Sequence, residues 1–152
     1  MSESIIAKAL QTIELEAISI TNLANYINEE FVNAIYVIRE SKGRIIISGI
    51  GKSAIVAQKI VATFNSTGTP SIFMHAADAI HGDLGMIQKD DVIVIVSKSG
   101  ESPEIKILVP LIKNFGNQII AIVGKMDSFL AIESNIVLNT TVTQEACPNN
   151  LA

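Results

Sequence analysis

Two loops hold the residues with the most chemical content. Ser48-Gly49-Ile50-Gly51-Lys52-Ser53 sets glycines ahead of a cation and a hydroxyl. Glycines at Gly49 and Gly51 let the backbone approach a ligand closely. Lys52 and Ser53 open a helical stretch, where unpaired N–H groups and positive potential attract anions. Ser97-Lys98-Ser99-Gly100-Glu101-Ser102 gathers three hydroxyls around a glycine, again ahead of a helix. Hydroxyls and backbone N–H groups there suit a phosphate. A single serine is enough to cap a helix. Three exceed that need, so Ser97, Ser99, Gly100 and Ser102 read as a phosphate cradle.

Other readings of the first loop are weaker. A P-loop needs a glycine five residues before Gly51, and Ile46 stands there. Gly49-Ile50-Gly51-Lys52-Ser53-Ala54 matches a dinucleotide fingerprint loosely. That fingerprint also needs an acid about 20 residues on, and Ser71-Ile72-Phe73-Met74-His75 has none. No cofactor is expected. His75 and His81, with Asp78 and Asp83 nearby, could attract an inhibitory zinc. One loop makes an incomplete zinc site by itself, and no essential metal is expected. The sequence offers no clear histidine that would activate Cys147 as a nucleophile.

The elements that must position these loops follow from periodicity. Residues 2–41 carry apolar residues at helical spacing without Gly or Pro. One helix of that length would be about 60 Å long, so a break is expected near Ser19–Asn25. Its apolar stripe is wide enough to cover a partner subunit as well as its own sheet; the alternative is that it covers the sheet alone. Beyond Gly43, strands at 44–49, 71–74, 91–97, 117–124 and 136–139 alternate with helices at 52–65, 102–114 and 128–134. Pro110 is expected to kink the second of these helices. Residues 75–86 read as loop with one helical turn. Continuous Ile/Val strands between helices predict an α/β three-layer sandwich around a five-stranded parallel sheet, preceded by a long N-terminal helix. A flavodoxin-like order 2-1-3-4-5 suits five strands. It brings both chemical loops to the switch point at the carboxyl ends of the first and third strands.

The chain's 152 residues fit one domain, with a helical segment at 1–41 and the core at 43–152. With 49% hydrophobic and 17% charged residues and a mean hydropathy of +0.43, it can build a real core. A net charge of −4 argues against nucleic acid as a partner. No run reaches the roughly 18–20 apolar residues of a membrane helix. The N-terminus lacks the basic start of a signal peptide. A single cysteine suits a reducing cytoplasm.

The two loops resemble those of sugar isomerase (SIS) domains. Ala62-Thr63-Phe64-Asn65-Ser66-Thr67-Gly68-Thr69-Pro70, His81-Gly82-Asp83-Leu84-Gly85-Met86 and Glu145-Ala146-Cys147-Pro148 sharpen the likeness. It extends to the D-arabinose 5-phosphate isomerases that supply Kdo for lipopolysaccharide or capsule. The resemblance implies aldose–ketose isomerisation of a pentose phosphate through an enediol. It matches Lys52, Glu104 and Glu145 to charged active-site positions, with Lys52 suited to the developing enediolate. It matches Ser53, Ser97, Ser99 and Ser102 to phosphate-binding hydroxyls. His81 is assigned to the sugar pocket or to orienting its loop. A homo-oligomer, a dimer or a tetramer built from two dimers, is expected. The alternatives are a silent phosphosugar-binding SIS module and an isomerase of another sugar phosphate. The family's later Ser-His-Pro-Gly segment, whose histidine belongs to the active site, and its paired CBS domains have no counterpart here. Truncation at the C-terminus is therefore expected.

Overall fold

A computed structural model describes residues 2–147 and residue 149. Pro148 of the Glu-Ala-Cys-Pro motif and the terminal residues 150–152 lie outside the described residues. The chain starts with helix α1 (Ser2–Asn22), a 3-10 turn at Leu23–Tyr26 and helix α2 (Glu29–Glu40). The expected break is present: α1 ends at Asn22, within Ser19–Asn25, and the turn that follows runs on to Asn28, where α2 is capped. Asn28 is extended, and its side chain accepts from the Glu30 N–H at 3.0 Å. Glu29 and Glu30 in the first turn and Arg39 in the last suit the α2 dipole.

Strand β1 (Ile45–Gly49), α3 (Lys52–Ser66) and β2 (Ser71–His75) follow, then the short α4 (Ala76–Ala79) and a 3-10 turn at Asp83–Met86. The chain continues through β3 (Val92–Ser97), α5 (Pro103–Phe115), β4 (Ile119–Val123), α6 (Phe129–Glu133) and β5 (Ile136–Asn139). His75, expected in a loop, ends β2. The helix with Pro110 inside it runs on as one element to Phe115.

The sheet is parallel, in the order β2-β1-β3-β4-β5. Alternate strand residues point into two cores. Ile46, Ile93, Ile95, Ile119 and Ala121 meet Ile105, Leu108 and Ile112 of α5 together with α4 and α6. Ile45, Ile47, Val92, Val94 and Ile120 meet Ala34 of α2 and Ala57 of α3. Both faces are covered, which is why the strands are continuously apolar. α1 is different. Ile5, Ile6, Leu10, Ile13 and Ile20 are each 60–69% exposed.

The amino end of the sheet is closed by a polar clasp. The fully buried Asp91 carboxylate takes the Arg44 guanidinium at 2.7 Å, the Arg44 N–H at 2.8 Å and the Gln88 N–H at 2.8 Å. Burial pushes the Asp91 carboxyl up, but Arg44 and these N–H donors outweigh it and hold it below its ordinary value. The clasp fixes the opposite end from the two chemical loops.

Candidate active site

Gly49 pairs with Val96 in the β1–β3 register, so the loops that leave these strands are neighbours. Gly51 sits at the N-cap of α3 with φ 57°, a left-handed conformation that favours glycine. It turns the chain so that Lys52 and Ser53 start the helix. Lys52 is exposed and Ser53 half-buried.

The second loop is held by its own serines. The Ser97 hydroxyl oxygen accepts from the Gly100 N–H at 3.0 Å, and Ser99 accepts from the Glu101 N–H at 3.3 Å. Each hydroxyl keeps its own hydrogen to donate. Gly100 is left-handed at φ 64°. A Cβ there would lie 2.2 Å from the Ser128 Oγ, so this is a backbone site with no room for a side chain. Ser102 is the N-cap residue of α5 but makes no capping hydrogen bond. Its buried Oγ has no hydrogen-bond partner among the described residues. A buried hydroxyl without a partner is costly, and a phosphate oxygen would satisfy it.

Two charged neighbours do not stand out in the sequence. Glu101 accepts from the Phe129 N–H at 2.7 Å and pairs with Lys106 at 2.7 Å. Lys106 and this N–H hold its carboxyl below the ordinary carboxylate range. Glu101 therefore fastens the loop to α6. Lys98 Nζ pairs with Glu145 Oε1. A signal for Lys98 exists: it follows a strand and flanks a serine, as Lys52 does. Its partner, however, lies far along the chain in an irregular segment that carries no periodicity.

The expected site residues thus fall into two groups. Gly51, Lys52, Ser53 and the Ser97–Ser102 loop share the β1/β3 switch point. Glu145 lies in a cleft of about 450 Å³ lined by Leu15, Ser19 and Ile20 of α1 with Lys98 and Thr140. Lys52, Ser53, Glu104 and His81 do not line that cleft. Lys98 belongs to both groups. Glu104 is half-buried in the first turn of α5, just past Ser102. His81 is exposed beyond α4, which packs on α5, and its N–H donates to the Asp78 carbonyl at 2.9 Å. His75 Nδ1 lies 3.7 Å from Asp78 Oδ2, too far for a hydrogen bond. Among the described residues, no three His, Cys, Asp or Glu side chains gather into a metal-holding group.

The SIS domain family matches residues 37–152. Over 147 residues the chain is 47% identical to the arabinose 5-phosphate isomerase KdsD of Pseudomonas aeruginosa, covering 97% of this chain and 45% of that protein. It is 45% identical to the arabinose 5-phosphate isomerase KpsF of Escherichia coli O6:H1, covering 97% and 46%. The chain spans about half the length of these curated relatives. The solved structure of Escherichia coli CFT073 c3406 in complex with arabinose 5-phosphate superimposes with a TM-score of 0.94 at 38% identity, covering 100% of this chain and 81% of that one. With that match and the order of its sheet, the chain belongs to the SIS domain family.

Proposed function

We propose that the protein interconverts D-arabinose 5-phosphate and D-ribulose 5-phosphate. The reading that its product feeds Kdo synthesis for lipopolysaccharide or capsule, in the cytoplasm, rests on the same likeness. The observation that supports the proposal is the serine loop at the switch point, with the Ser102 hydroxyl buried and unsatisfied among the described residues. Relatives named for this isomerisation support it.

The isomerisation balances within the substrate. A proton leaves C2 of the aldose and one arrives at C1, while a proton passes between their oxygens. C2 is oxidised as C1 is reduced, so no electron acceptor is needed. Ser53, Ser97, Ser99 and Ser102 hold the phosphate and fix the distance to the reacting carbons. Lys52, at the start of α3, meets charge as it develops on the enediolate oxygen. Glu104 and Glu145 serve as proton carriers or orient the hydroxyls, and His81 lines the sugar pocket. The working unit is a homo-oligomer, with α1 contributing to its interface. The domain division at residues 41 and 43 and the lack of an essential metal or cofactor belong to the same reading.

The test is ribulose 5-phosphate consumption by the full-length protein, with the product identified by NMR. The expected product is arabinose 5-phosphate. Tight phosphosugar binding without turnover would favour a silent binding module instead.

A further inference from the structure

Glu145 belongs to an irregular segment beyond β5, where no helix or strand fixes its direction. Its side chain is nonetheless only 13% exposed. Its cation partner, Lys98, comes from inside the serine loop. Lys98 is itself anchored: its carbonyl accepts from the Gly124 N–H at 3.0 Å. A Cβ on Gly124 would lie 3.1 Å from that carbonyl, so the two backbones are in close contact. The Gly124 carbonyl in turn accepts from the Thr141 hydroxyl at 2.9 Å, and the Thr140 N–H donates to the Val123 carbonyl at 2.9 Å. The loop after β3, the end of β4 and the segment bearing Glu145 are therefore tied together.

We propose that Lys98 is a positioning residue, holding the Glu145 carboxylate at a set distance from the phosphate cradle. This rests on the isomerase reading above. The loop that receives the phosphate would then also place the carboxylate that works at the other end of the substrate. Misplacing a reacting group by about 1 Å can cost about a hundredfold in rate, so such a strut matters. Among the described residues lining the two clefts at Glu145, the other charged groups come from α1. Glu16 lines the same cleft, and Lys8 and Glu14 line the adjoining one. With Lys98 gone, Glu145 would lose a paired cation while the carboxylates of Glu14 and Glu16, and Lys8, still line the clefts around it. Its proton affinity would rise.

The experiment compares Lys98→Met, Lys98→Arg, Glu145→Gln and the Lys98→Met/Glu145→Gln double variant in the full-length protein. Turnover of ribulose 5-phosphate is followed across pH, and inorganic phosphate binding is titrated separately. Lys98→Met is expected to lower kcat by about tenfold or more, with KM and phosphate affinity moved by less than about threefold. Its acid limb should move to higher pH, and Lys98→Arg should restore most of the rate. In the double variant, Lys98→Met should add little to Glu145→Gln, because both remove one function. Full additivity, or a loss confined to phosphate affinity, would overturn the proposal. If the wild type leaves ribulose 5-phosphate unchanged, the isomerase reading fails separately. The carboxyl titration of Glu145 by 13C NMR still decides the pairing. An equal midpoint in wild type and Lys98→Met overturns it.

Discussion

Ser97 and Ser102 occupy the two ends of one loop and carry opposite burdens. Ser97 satisfies a backbone N–H, while the Ser102 hydroxyl satisfies none among the described residues. Ser97→Ala leaves the Gly100 N–H without its acceptor and should cost about 1–2 kcal/mol of stability in a denaturant titration. Ser102→Ala removes that unsatisfied hydroxyl, so it should keep or raise stability and weaken inorganic phosphate binding instead. Ser99→Ala should weaken phosphate binding by about 1–2 kcal/mol, as for a lost bond to a charged group. Unchanged phosphate affinity in both Ser99→Ala and Ser102→Ala would remove the cradle from the argument. In the proposed reaction Lys52 acts later than the serines. If it meets charge that exists only in the transition state, Lys52→Ala should cut kcat by about a hundredfold with a smaller change in KM. Glu104→Gln and Glu145→Gln should likewise act mainly on kcat in steady-state assays. The serines were legible because three hydroxyls around a glycine are unusual. Their separate roles were not, since those depend on which N–H each oxygen meets once the loop is folded.

At the scale of elements, the fold was readable where two periodicities change places. The Ile/Val runs of β1 and β3 cannot be mistaken for amphipathic helix. Gly43 and Gly51 mark ends that the structure keeps. The break after α1 was legible from length alone, but the start of α2 was not, because its cause is local. Asn28 caps a new helix, and nothing in the apolar spacing announces it. The Arg44–Asp91 clasp was missed altogether, because it joins two strand starts that are distant in sequence. It makes a prediction of its own. The folded-state carboxyl of Asp91 lies below its unfolded value of about 3.9, so its stabilisation is present above that pH. That contribution is lost as pH falls through the folded value. Asp91→Ala strands Arg44 and should cost about 3 kcal/mol at neutral pH, with a smaller difference from wild type in strong acid. Because the clasp is at the far end of the sheet from the switch point, kcat at a temperature where the variant is folded should be unaffected. Equal stability of the two proteins at pH 7 would show that the clasp contributes nothing.

At the scale of the molecule, surface area is the informative quantity. A compact monomer of 16.3 kDa should expose about 7500 Å², yet this chain exposes 9093 Å². α1 exposes apolar side chains as part of this surface: its Ile6 and Ile13 stand two turns apart on one face and are 60% and 62% exposed. A solvated helix gains nothing from isoleucine at such positions, and exposed apolar side chains on one face are what the proposed subunit interface would cover. α1 also lines the cleft that holds Glu145, so covering the helix would close the side of the site. Light scattering at micromolar concentration should therefore give a mass that is a multiple of the single chain's, at least a dimer. Ile6→Glu with Ile13→Glu should shift the protein toward monomer. The sheet should stay folded, because neither side chain belongs to its two cores. If assembly completes the site, the double variant should lose turnover in proportion to the monomer it forms, and raising protein concentration should restore both together. A wild-type monomer at micromolar concentration would sink the assembly reading. A monomeric variant with full activity would leave the assembly in place but separate it from catalysis.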